Sequence, residues 1–166
     1  PAILGYGGLA DRDRRVGGPM PVFPSQSWME DFCARLRQHP RTAEAAGVLD
    51  GRYRFVVEPS GPLTERHVYD IVVRPGDDGA GPDVGCVDDP AGDARLTLAA
   101  DYGRWVQLIR GELDLAMAVM LRRLRVSGDL SGIMRHLSSV QPLTDALGAV
   151  DTRWLDEQPE APGQAR

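Results

Sequence analysis

The stretch from residue 94 to residue 130, ARLTLAADYGRWVQLIRGELDLAMAVMLRRLRVSGDL, decides the fold. It opens on Arg95-Leu96-Thr97-Leu98-Ala99, where Leu96 and Leu98 fall on one face of a strand. Asp101 follows at a position suited to a helix N-cap, because its carboxylate can accept from the first free backbone N–H groups. Tyr102, Trp105, Val106 and Ile109 then recur at i, i+3, i+4 and i+7, the spacing of one helical face. Gly111 interrupts that pattern. Leu113, Met117, Met120 and Leu121 form the next stripe, with Ala116 and Ala118 between them. Leu124-Arg125-Val126 alternates as a strand. Gly128 and Asp129 then turn the chain into a helix with Leu130, Ile133, Met134 and Leu137 on its apolar face.

Upstream, Ser27-Trp28-Met29-Glu30 has the spacing of a capping box, and Met29, Phe32, Cys33 and Leu36 continue as an apolar helical stripe. Pro40 interrupts, Arg41 to Ala46 form a second short turn, and Gly47 ends it. Residues 52–57 and 68–73 are β-rich and separated by the turn Ser60-Gly61-Pro62, with Val84 to Val87 as a further short strand. Downstream of Pro142, Leu143 to Val150 predict one more short helix, and Trp154 and Leu155 are placed to pack back. Strands joined by short turns favour antiparallel pairing, and the helices must bury their stripes against the sheet. The expected fold is α+β: a five-stranded, mostly antiparallel sheet covered on one face by helices. The expected organisation is an irregular glycine- and proline-rich arm over 1–26, a folded domain over 27–150 and a tail over 151–166. The arm reads either as a flexible extension or as a cover for a pocket mouth or a partner subunit. A dimer through it is one arrangement, and nothing in the sequence selects an oligomeric state.

A chain of 166 residues and 18.1 kDa suits one domain. No apolar run approaches the ~20 residues of a membrane helix, and the first residues lack the apolar segment of a secretory signal. An integral membrane protein is therefore not expected, and a cytoplasmic one is. All the basic residues are arginine, which excludes Schiff-base lysine chemistry and a P-loop lysine. The net charge is -5, and no basic stripe is visible beyond a small cluster at Arg122, Arg123 and Arg125, so nucleic acid is not an expected partner. Two cysteines make neither a disulfide framework nor a zinc site, and Cys33 on its stripe reads as a small buried hydrophobe. The histidines His39, His67 and His136 lack metal-ligand spacing. The aspartates between Asp77 and Asp93 lack the pattern of a calcium loop. No metal or cofactor is expected. If polar groups take part in catalysis, the candidates are Asp101, Tyr102, His136, His67 and Tyr69.

Two pieces of the opening stretch carry a resemblance. They are Leu108-Ile109-Arg110-Gly111-Glu112-Leu113-Asp114 and Arg123-Leu124-Arg125-Val126-Ser127-Gly128-Asp129-Leu130. In order and separation they resemble the sterol-carrier-protein type of lipid-binding domain, in a freestanding bacterial form. Glu112 stands where a lysine is usual, Arg122 where the second piece usually has glycine, and Arg123 and Arg125 replace lysines. The resemblance covers roughly residues 27–147. It implies an apolar tunnel between sheet and helices that binds sterols, fatty acids, acyl-CoA or phospholipids. Carried onto this chain, the ligand-binding candidates are Trp105, Ile109, Leu113, Met117, Met120 and Leu121, joined by Ile133, Met134 and Leu137. Gly111, Gly128 and Asp129 take structural roles: a break between helices, a turn and a cap.

Three functions compete. The first is non-catalytic carriage of a lipid, fatty acyl group or polycyclic, polyketide-like intermediate, which requires a shielded apolar cavity with few polar groups. The second is a biosynthetic enzyme, of cyclase or isomerase type, that orients an apolar substrate in the same pocket. The third is a scaffold module whose pocket has filled in.

Overall fold

In the computed structural model, residues 20–77, 81–87, 90–135 and 137–157 are described. The first helix, α1 (Gln26–Gln38), has its N-cap at Ser25, two residues before the Ser27 that opens the expected box. Ser25 is extended (φ -163°, ψ 164°), and its Oγ accepts from Trp28 N at 3.1 Å. An N-cap must stand outside the helix, and Ser27 is already inside it. Residues before α1 are tied to the far end of the chain: Phe23 N donates to Arg153 O at 3.0 Å, and Arg153 N to Pro21 O at 2.9 Å. Phe23 is buried against Trp28, Tyr102 and Trp154. The rest of the arm lies outside the described residues.

A short α2 (Thr42–Ala45) leads into the sheet, formed by β1 (Gly51–Glu58), β2 (His67–Arg74), β3 (Asp83–Val87), β4 (Leu96–Asp101) and β5 (Arg125–Gly128). The spatial order is β3-β2-β1-β4-β5. All neighbours are antiparallel except the central pair β1 and β4, which runs parallel. The sheet is thus five-stranded and mostly antiparallel, as its alternating segments predict.

Period-two alternation sorts the side chains. Tyr53, Phe55 and Val57 share a face with Ile71 and Val73 of β2 and with Leu96 and Leu98 of β4. The helices cover this face. Arg52 and Arg54 point the other way. The side chain of Asp70, opposite Arg54, is wholly buried there. Asp70 accepts from Arg54 Nε and Nη2 and from Arg52 Nη1, each at 2.8 Å. The same arginines donate to Ala91 O and Gly92 O, so the return from β3 to β4 is pinned across this outer face.

Helix α3 (Tyr102–Ile109) is capped by Asp101, whose Oδ1 accepts from Arg104 N at 2.9 Å. Gly111 (φ 78°) ends it in the left-handed region that glycine adopts without strain. Helix α4 (Leu115–Met120) is capped in turn by Asp114. After β5 the expected helix through Leu137 ends early, as α5 (Leu130–Met134), and a 3-10 turn (Leu137–Val140) follows it. The second expected helix is α6 (Gln141–Ala149), with Pro142 inside its first turn and not ahead of it. Asp129 is drawn to the sheet, where its carboxylate accepts from Arg95 Nη2 at 3.1 Å. Gly128 (φ 112°) lies so close to Arg95 that a Cβ would overlap the Arg95 carbonyl oxygen. Only glycine fits this end of β5.

Candidate functional site

One end of the covered face is hollow. A cavity of about 140 Å³ lies between the sheet and the helices. Tyr53, Phe55, Leu96, Leu98 and Val126 make its floor, one residue deep across β1, β4 and β5. Phe32 of α1 and Trp105 of α3 close the buried side. Phe55 stands between them, with ring centroids 6.0 Å from Phe32 and 5.7 Å from Trp105. Trp105 is locked by a 2.9 Å bond from its Nε1 to Val56 O. The opposite side is thinner. Leu115, Ala116 and Val119 of α4 and Leu130 of α5 are half-buried, and Met134 is exposed although it lines the cavity. Leu143, Thr144 and Leu147 of α6 complete the roof.

Most polar groups in the lining are already engaged. Tyr53 donates its hydroxyl to Leu49 O at 2.6 Å, and burial raises its pKa. Asp114 is spent on its helix cap, and Gln141 Nε2 donates to Asp145 Oδ1 at 2.8 Å. Thr144 is the remaining polar residue of the lining.

The expected ligand-binding residues divide. Trp105 and Met134 line the cavity. Ile109 and Leu113 are buried in the core beside it, outside the lining. Met117, Met120 and Leu121 do not reach it: they are 45%, 67% and 50% exposed. Helix α4 is apolar all round, so the stripe through Met117, Met120 and Leu121 and the stripe through Leu115 and Val119 have equal claims on the core. The Asp114 cap and the seating of Ala118, fully buried, turn the second stripe inward. The side chains of Ile133 and Leu137, and all of His136, lie outside what is described. The sheet floor was missed in the sequence, although the alternation Tyr53-Phe55-Val57 and the pair Leu96 and Leu98 carried its signal.

The polar candidates are not gathered into this site. Asp101 is a helix cap. Tyr102 is buried, and its hydroxyl accepts from Leu155 N at 3.0 Å. His67 Nδ1 lies 2.8 Å from the Tyr69 hydroxyl, and burial pushes the Tyr69 pKa up to about 12. Neither His67 nor Tyr69 is in the cavity lining. Among the described residues, no three acidic, cysteine or histidine side chains are grouped to hold a metal, and no helix is long and apolar enough to cross a membrane.

An antiparallel-rich sheet and a helical roof enclose an apolar cavity that a small apolar molecule can enter. The chain belongs to the SCP-2 sterol transfer family, which it matches over residues 29–140. Its role is the one typical of that family's domains, non-catalytic carriage of a lipid or other small molecule. Its fold is similar to the solution structure of a protein from Thermus thermophilus put forward as a sterol carrier protein. The TM-score is 0.64 at 20% identity, with 81% of this chain and 93% of that one covered. It is also similar to a crystal structure of sterol carrier protein 2, with a TM-score of 0.58 at 21% identity, covering 76% of this chain and 97% of that one. No curated protein matches the chain.

Proposed function

We propose that the cargo is a small apolar molecule, a single ring or a short alkyl chain with at most one polar end, held against the Tyr53–Phe55–Leu98 floor. The cavity's size carries this reading. Its 140 Å³ is close to the roughly 150 Å³ that takes a benzene-sized guest and below the roughly 300–1,000 Å³ of drug-sized sites. Affinity comes from apolar area removed from water, at about 25 cal/mol per Å² before the costs of association. Thr144 orients the polar end.

A sterol or long acyl chain enters only if the thin wall moves. Helix α4 supports such movement, since Ala118 is its one buried residue and low local burial makes local opening cheap. Trp105, Met134 and the half-buried face of α4 are then the ligand contacts, and Gly111 and Gly128 the fixed turns around them. The lysine-free composition supports a bacterial source.

Native mass spectrometry of the purified protein tests this, followed by denaturation and identification of the extract. Thermal-shift titration with short and long alkanoic acids, an aromatic hydrocarbon and a sterol completes the test. One apolar molecule per chain, with stabilisation by the short acids and the ring compound, is the expected result. An empty protein that none of these compounds stabilises refutes the cargo reading and leaves a filled scaffold. A guest returned chemically altered after incubation establishes an enzyme instead.

A further inference from the structure

The two cysteines, 53 residues apart in sequence, meet in the fold. Cys33 Sγ on α1 lies 3.1 Å from Cys86 Sγ on β3. Neither is in a disulfide. Cys86 faces the helices from the edge strand, paired with Ile71, and is half-buried; Cys33 is buried beneath it. A second contact fixes the same two elements beside the sulfurs. Arg37, one helical turn after Cys33, donates from Nη1 to Val84 O at 2.6 Å, two residues before Cys86. The backbones are therefore held in place independently of any bond between the sulfurs. Closing that bond, about 2.05 Å long, requires a sulfur movement of about 1 Å.

We infer that Cys33 and Cys86 are a reversible dithiol–disulfide site, oxidised by a low-molecular-weight disulfide such as oxidised glutathione. Cys86, the accessible partner, attacks as thiolate. Its sulfur bonds one glutathione sulfur, the glutathione S–S bond breaks, and one glutathione thiolate leaves. Cys33 then attacks Cys86 Sγ, the mixed disulfide breaks, and the second glutathione departs as a thiol with the proton from Cys33. Two protein thiols are oxidised to one disulfide, and one glutathione disulfide is reduced to two thiols. The hydrogen bond to Cys86, followed by burial, raises the pKa of Cys33, which keeps it a thiol until the mixed disulfide forms beside it. A metal reading lacks ligands, since no third donor joins the pair among the described residues.

The disulfide closes a long loop and ties α1, which carries the cavity residue Phe32, to the sheet edge. Oxidation therefore stiffens the buried side of the cavity without occupying it. The inference is independent of what the cavity holds.

The folded protein is incubated with oxidised glutathione, acid-quenched, denatured and alkylated, and its intact mass is read. The expected product is a monomer lighter by two hydrogens that takes no alkylating reagent. Its peptide map links Cys33 to Cys86, dithiothreitol reverses it, and its Tm is raised by roughly 5–10 °C. In Cys33→Ser the reaction is expected to stop at one glutathione on Cys86. Cys86→Ser, at the more exposed position, is the second variant should Cys33→Ser fail to fold, and it is expected to stay unoxidised. Two thiols still alkylated after incubation overturn the inference, as does a persistent glutathione adduct on the native sequence or a disulfide between two chains.

Discussion

Filling the cavity separates a working void from an ordinary core, and Ala116→Leu on the inner face of α4 fills it. The substitution adds three carbons. Burying them is worth about 2.4 kcal/mol at about 0.8 per carbon. Fixing the leucine rotamer costs about 0.5–1 kcal/mol, which leaves a net gain of about 1.5 kcal/mol. The ceiling is set by the void: at about 24 cal/mol per Å³, 140 Å³ of empty space costs about 3.4 kcal/mol. For a domain of this size the gain appears as a Tm higher by about 3–6 °C. The same carbons take up space a guest needs, so affinity for a benzene-sized probe is expected to fall at least tenfold. Urea unfolding gives the stability, and calorimetric titration with indole gives the affinity. Stability and binding must move in opposite directions. A loss of more than about 1 kcal/mol, the signature of overpacking, refutes the cavity. A gain in stability with unchanged binding refutes its use as the ligand site.

Asp70→Asn removes the charge between Arg52 and Arg54 and is expected to cost about 2–3 kcal/mol at neutral pH, below the full buried-pair value because both arginines can rehydrate. Burial raises the Asp70 pKa, but the bonds from Arg54 and Arg52 outweigh it and hold the carboxyl below its ordinary range. Its contribution is therefore complete above the unfolded value of about 3.9 and is lost as the pH falls through the folded one, so the variant should flatten the acid limb of a stability–pH profile. Arg122 is the one non-glycine residue with positive φ (59°) among those described, and Arg122→Gly is expected to raise the urea midpoint by an amount worth about 0.5–1 kcal/mol. Gly128→Ala forces a Cβ against the Arg95 carbonyl at φ 112° and is expected to lower stability by at least about 2 kcal/mol in the same assay.

The sequence by itself determined what repeats locally. Leu96 and Leu98 announce a half-buried strand, and Asp101 announces the helix after it, because alternation and capping involve only neighbours in the chain. The separation of strands from helices was enough for the α+β class. Sequence stopped short wherever distant segments choose between equivalent local solutions. Periodicity defines two apolar faces on α4, and the tertiary fold turns Leu115, Ala116 and Val119 to the cavity and leaves Met117, Met120 and Leu121 exposed. Alternation puts Asp70 on a face but does not reveal that two arginines and a returning loop enclose it. The parallel seam between β1 and β4 follows from the return of the chain past two strands, which no local pattern encodes. Cys33 and Cys86 read separately as a core residue and a strand residue. Their meeting depends on α1 crossing the sheet edge, a contact made across 53 residues and set by the tertiary fold alone.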